Sequence, residues 1–448
     1  MNRGSKGQSL GRLESETNLA RVPLVDYNFD REYYGSVQIG QPPQTFKIDF
    51  DTGSSQFVIS AKDCIECSGT THYDARASST YKPGSKPWRI TYGDLSHAEG
   101  VLGRDRITID GITVENQQLA LVTNESAGFD DTVDGIMGLA FGALSTTGTP
   151  TKTVFENMMS QKLVERGLFS FYLGKTSLGG GGEVIFGGMD KSRIADGHEV
   201  TFTPVTRAKY WQINVSNVLV NSKVIPFRLS SGHTPDSTSE DNEQDGEKDD
   251  NDSGTSRWKS NIAGIMDTGT TLMVVPSRLA QQIHRQIRGA RDLGQSTWAL
   301  PCDLAESDPH GSVQLEIEGK RFGIPFEDLV REEADQPGIC YSGIQTSTAT
   351  FMIIGDVFIK NNYVVFDQEH KRVGIAPLKL SPNQTKDKEE ESAAQGQDME
   401  AEEDADEQDQ EISQNEDQEN AIDENDNDSE AEEDHDDGII DLAAVHTS

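Results

Sequence analysis

The sequence predicts an all-β protein of two related lobes, related by a pseudo-two-fold axis and facing each other across a central cleft. Three observations carry this. Short segments of alternating apolar and polar residues recur along the chain with few helical patterns between them, which argues against a parallel βαβ sheet. An acidic motif occurs twice, and in each half a second motif follows it at almost the same distance. The excess negative charge is concentrated in two segments, leaving a net charge of only −5 on the rest of the chain.

In chain order, RITIDGITV reads as a hairpin: Ile107 and Ile109 alternate into Asp110-Gly111, turn residues that tolerate positive φ, before Ile112 and Val114. TKTVFENMMSQKLVERG is expected to be a helix with Phe155, Met158, Met159 and Leu163 on one side and Gly167 at its stop. The run Gly179 to Gly182 lacks the remainder of a phosphate-binding loop and precedes EVIFGG, so it is expected to be a turn between strands. YWQINVSNVLV and VQLEIEG alternate as strands do. PSRLAQQIHRQI is expected to be a helix, capped by Ser277, that buries Leu279, Ile283 and Ile287.

The chain of 448 residues holds 76 Asp and Glu against 39 Lys and Arg, a formal charge of −37. Residues 381–448 carry 27 acids and 2 bases, and residues 229–257 carry 9 and 2. Neither segment has the apolar content to offset ordering entropy, so both are expected to be disordered, the first as a tail and the second as an insertion inside a lobe. The expected layout is an N-terminal segment over 1–21, lobes over 22–190 and 191–380, and the tail. No concentrated basic face suits nucleic acid, and no apolar run approaches the ~20 residues that span a bilayer. The opening residues lack the apolar core of a signal peptide. Four cysteines admit three pairings. Disulfides Cys64–Cys67 and Cys302–Cys340 are the simpler reading, because no second close pair of Cys or His completes a zinc site. They would imply an oxidising compartment.

The repeat carries the chemistry. FDTGSS at 50–55 recurs as MDTGTT at 266–271, and Ile136-Met137-Gly138 recurs as Ile353-Ile354-Gly355. From Asp51 to Gly138 is 87 residues and from Asp267 to Gly355 is 88, so the body is a duplication. If the two lobes face each other, Asp51 and Asp267 become neighbours, each ending an apolar run and followed by a glycine that permits a sharp turn. Two adjacent carboxyls cannot both ionise readily and share one proton over an acidic range. Such a pair holds a base for water and an acid for the leaving amine, which suffices to hydrolyse an amide without cofactor, metal or covalent nucleophile.

Together with YYGSVQIGQPPQ, ITYGD, DGIMGLAF, GLFSFYLG, YWQINV and FMIIGDVFIKNNYVVFD in that order, these motifs make the chain from Val22 to Pro377 resemble the pepsin-type aspartic proteases, close to the secreted rhizopuspepsin-like fungal members. The resemblance implies an endopeptidase acting at acid pH on a protein or peptide held extended in the cleft, expected to be a monomer, in an extracellular or vacuolar setting. It implies that Asp51 and Asp267 are the catalytic pair, that Thr52 and Thr268 interlock their loops, and that Ser54 and Thr270 hydrogen-bond the outer oxygens, with Gly53 and Gly269 completing the turns. Tyr92, Gly93 and Asp94 fall on the family's flap, and Ile136 on the substrate-binding wall. Asp94 matches a position where some fungal relatives accept Lys, as well as large apolar residues, before the scissile bond. Val58 stands where the family usually has Trp, and Leu95 where it usually has Gly. There is no HExxH or GxSxG motif. Sequons occur at Asn124, Asn214, Asn251, Asn383 and Asn427. A different class of function is a catalytically silent binding protein on the same scaffold, with the acidic tail engaging cations or basic partners.

Overall fold

The computed structural model describes residues 18–64, 67–92, 96–126, 132–147, 151–226 and 261–379. The acidic insertion at 229–257, the tail at 381–448, Gly93 and Asp94 lie outside the described residues. Strand is the dominant element among the described residues, and the helices are few and short.

A six-stranded antiparallel platform gathers pieces from both ends and the middle of the chain. In order across the sheet they are Thr201–Pro204, Arg372–Pro377, Asn362–Asp367, Leu168–Leu173, Gly182–Phe186 and Ala20–Tyr27. An aromatic layer fixes it to the body: Phe169 stacks on Phe366 at 5.0 Å and meets Trp211 edge-on at 5.7 Å. All three rings are fully buried. Each such ring removes ~150–250 Å² from water, so the layer contributes strongly to the core for its size. Gly179, Gly180 and Gly181 all adopt positive φ in the turn between two platform strands, as the sequence indicated.

Above the platform, the duplication appears as topology. In the first half, Gly135–Gly138 lies parallel to Gln44–Asp51 and antiparallel to Phe57–Ser60. In the second, Met352–Ile354 lies parallel to Ile262–Met266 and antiparallel to Met273–Pro276. The apolar pair ending in glycine is thus the strand wedged between the two arms of each acidic loop, which explains why both motifs recur at one spacing. The hairpin turn at Asp110-Gly111 adopts positive φ at both residues.

Two helix boundaries differ from expectation. The first helix spans only Val154–Ser160, with Lys162 at positive φ, so the chain turns well before Gly167. Its start is a capping box between Thr153 and Glu156. The second helix spans Ser277–His284 with Pro276 at the N-cap; Ser277 is already helical and its hydroxyl donates to the Ser347 carbonyl instead of capping. Leu279, Ile283 and Ile287 are buried as the periodicity predicts. Both proposed disulfides are present, Cys64–Cys67 and Cys302–Cys340.

Candidate active site

Each acidic loop leaves its strand after an apolar run and is clamped by the wedged strand beside it. The Leu139 amide donates to the Asp51 carbonyl at 2.6 Å and the Ala140 amide to the Ser54 carbonyl at 2.8 Å. In the other half, the Asp267 amide donates to the Ile354 carbonyl at 3.1 Å and the Asp356 amide to the Thr270 carbonyl at 2.8 Å. Gly138 is required at this junction, since a Cβ there would lie 2.5 Å from the Ser55 nitrogen.

The two loops then lock to each other. The Thr52 amide donates to Thr268 Oγ1 at 3.1 Å, and the Thr268 amide donates to Thr52 Oγ1 at 2.9 Å. Each hydroxyl passes its own proton onward, Thr52 to the Met266 carbonyl at 2.9 Å and Thr268 to the Phe50 carbonyl at 2.5 Å. All four groups are buried and satisfied, which makes the junction rigid. The glycines allow the final approach. A Cβ on Gly53 would sit 2.6 Å from both carboxylate oxygens of Asp267, and one on Gly269 would sit 2.6 Å from the carboxyl carbon of Asp51. Each carboxylate therefore lies over the opposite loop's glycine.

Asp51 and Asp267 are 1% and 0% exposed, so water screens neither. Asp51 Oδ1 accepts from the Gly53 amide at 2.6 Å. Asp267 Oδ1 accepts from the Gly269 amide at 3.0 Å and Oδ2 from the Thr270 hydroxyl at 2.8 Å. Burial raises the pKa of Asp51, opposed by hydrogen bonds from Ser54 and Gly53. Burial, then the negative charge of Asp51, raises Asp267 well above the usual carboxylate range. The pair consequently retains a proton that the two carboxyls share.

Tyr92 and Ile136 join a different group. They pack with Val58, Trp88, Ile90, Ala98, Leu102, Ala120 and Val122 in an apolar cluster toward the turn end of the hairpin formed by Lys82–Thr91 and His97–Ile109. Trp88, 4% exposed, thus shares with Val58 the cluster that receives Tyr92. Ile136 connects this cluster to the acidic loop, being paired in register with both Asp49 and Val58.

Two further buried acids went unnoticed in the sequence. Burial and the charge of Asp51 raise Asp49 well above its ordinary value; burial and the charge of Asp267 do the same for Asp356. Asp49 stands two residues before Asp51, and Asp356 directly follows Gly355, so proximity to the repeated motifs was the available signal. No group of three or more His, Cys, Asp or Glu able to hold a metal ion occurs among the described residues.

A bilobal β body with two interlocked Asp-Thr-Gly loops defines an aspartyl protease. Residues 32–237 and 245–378 match the eukaryotic aspartyl protease family, and the chain belongs to it. It is 37% identical over 373 residues to rhizopuspepsin of Rhizopus chinensis, covering 83% of this chain and 84% of that protein. Syncephapepsin of Syncephalastrum racemosum is 36% identical, covering 80% of each chain. Cathepsin E-B of Xenopus laevis is 32% identical, covering 80% of this chain and 81% of that one. The protein is an aspartic-type endopeptidase.

Proposed function

We propose that Asp51 and Asp267 are the catalytic residues and hydrolyse peptide bonds by activating one water between them. The reciprocal packing of Gly53 against Asp267 and of Gly269 against Asp51 carries this reading, because it brings both carboxyls to one point. With one proton on the pair, the ionised carboxylate takes a proton from water as the oxygen attacks the peptide carbonyl. The protonated carboxyl hydrogen-bonds the developing oxyanion. Collapse of the tetrahedral adduct breaks the C–N bond, and a carboxyl proton passes to the leaving nitrogen. One water is consumed, a new carboxyl and a new amine appear, and the pair returns to its starting protonation. Thr52 and Thr268 are positioning residues, Thr270 holds the outer oxygen of Asp267, and Ser54 favours the ionised form of Asp51.

The substrate lies extended beneath the hairpin that carries Tyr92, and the apolar wall at Ile136 favours large apolar side chains. Asp94, by its charge, admits Lys before the scissile bond. The two disulfides fit an oxidising compartment, extracellular or vacuolar. Denatured haemoglobin incubated at acid pH with the wild-type protein and with Asp267→Ala tests the reading. Fragments should form with the wild type alone. Intact haemoglobin in both tubes, from folded protein, would favour the silent binding protein instead.

A further inference from the structure

A cavity of about 360 Å³ continues the wall of the catalytic loop. Thr271 and Leu272, which follow Thr270, form one side of it, and Arg31, Arg331, Glu332 and Asp335 complete its charged lining. The Thr271 hydroxyl donates to the Arg31 carbonyl at 2.6 Å, so the cavity joins the two halves of the chain right beside the cleft.

Its charges are not equivalent. Glu332 and Asp335 are exposed at the rim, where water screens them, whereas the Arg331 side chain is only 8% exposed. A guanidinium has five N–H donors. Among the described residues, Arg331 donates to the Phe29 carbonyl at 3.1 Å and approaches Glu332 at 4.0 Å. A buried cation satisfied by one carbonyl and a distant rim carboxylate retains donors and charge for a ligand entering the cavity. Its field also reaches inward, acting on Tyr33 and Asp356 behind the catalytic loops.

We propose that this cavity is a substrate subsite that selects an acidic side chain, Asp or Glu, at one position away from the cleaved bond, with Arg331 as the specificity-determining group and Arg31 as a second cation. The assignment rests on the proteolytic reading above and adds to it the charge of the preferred substrate. A planar fork in the lining of a cavity suits a carboxylate, which can take two parallel hydrogen bonds, better than the neutral amide of Gln or Asn.

A series of quenched peptides sharing one neutral core tests this, with Glu or Gln placed in turn at each of several positions on both sides of the scissile bond, assayed near pH 5 where Glu is mostly ionised. At one position remote from the bond, the wild type should cleave the Glu peptide roughly tenfold faster in kcat/KM than its Gln counterpart. Arg331→Gln should bring that ratio close to one, and Arg331→Lys should restore part of it, with circular dichroism verifying that both variants are folded. Should Arg331→Gln not fold, Arg31→Gln should lower the same ratio. Equal cleavage of Glu and Gln peptides at every position, or a preference that survives Arg331→Gln, overturns the subsite while leaving the protease intact. Failure to cut even the neutral core overturns the proteolytic reading itself, and the subsite with it.

Discussion

Gly269 shows how narrowly the site is built at the scale of single residues. Its missing side chain leaves the space that the Asp51 carboxyl occupies, as Gly53 does for Asp267. Gly269→Ala should displace a carboxyl, and an error of about 1 Å at a reacting group costs on the order of 10²-fold in rate. Measured kcat/KM should fall by at least that factor while the circular dichroism spectrum stays unchanged. An active Gly269→Ala enzyme would mean the carboxyls are not held this closely. The Asp-Thr-Gly triplets and their glycines were legible because the chemistry demands those residue types in a short run. Arg331 and Trp88 were not, since a lone Arg or Trp acquires meaning only from neighbours distant in sequence.

Among elements, the wedged strands Gly135–Gly138 and Met352–Ile354 are the parts whose role the repeat indicated without explaining. Nearly equal separations of 87 and 88 residues showed duplication, but parallel pairing on one side and antiparallel on the other needed three-dimensional register. Local alternation located the Asp110-Gly111 turn correctly, because positive φ at a hairpin turn leaves a strong residue signature. It misjudged the first helix, which stops near Lys162 once its buried face of Val154, Phe155 and Met158 is used up. The turn end of the hairpin, with Trp88, carries a further prediction. Trp88 fills the Tyr92 cluster where Val58 contributes a small side chain. Trp88→Ala should cost about 3–5 kcal/mol of stability, and it should raise KM by loosening the hairpin over the cleft. Urea denaturation and peptide kinetics measure both; a stability change under 1 kcal/mol would show that the cluster does not depend on this ring.

For the whole molecule, buried titratable groups set opposing slopes of stability against pH. Asp49, Asp51, Asp267 and Asp356 have raised pKa values in the fold, so their burial is tolerated fully below the unfolded value of 3.8 and disfavours the fold as pH rises. Asp30 behaves oppositely: burial pushes it up, but Lys360, 2.7 Å away and 3% exposed, and hydrogen bonds from Thr176 together outweigh burial and hold it down, so that stability is lost as pH falls below 3.8. His284 adds a third slope. Burial lowers it from 6.5 to about 4, with its ring stacked on Trp298 at 4.3 Å and Nε2 2.9 Å from Ser342 Oγ. The unfolded chain takes up a proton on that ring below 6.5 while the fold resists, so this contribution is complete above 6.5 and fades toward pH 4. The stability difference between wild type and His284→Gln should therefore shrink by on the order of 3 kcal/mol from pH 7 to pH 4. A difference that stays constant with pH would remove His284 from this account. The central claim is that two buried carboxyls hold one proton between them. The pH dependence of kcat/KM on a neutral peptide tests it most directly: a bell is predicted, with both limbs set by the Asp51–Asp267 pair, and no activity at any pH in Asp51→Asn or Asp267→Asn. A rate that levels off with rising pH without a descending limb, or cleavage that persists in either variant, would contradict it.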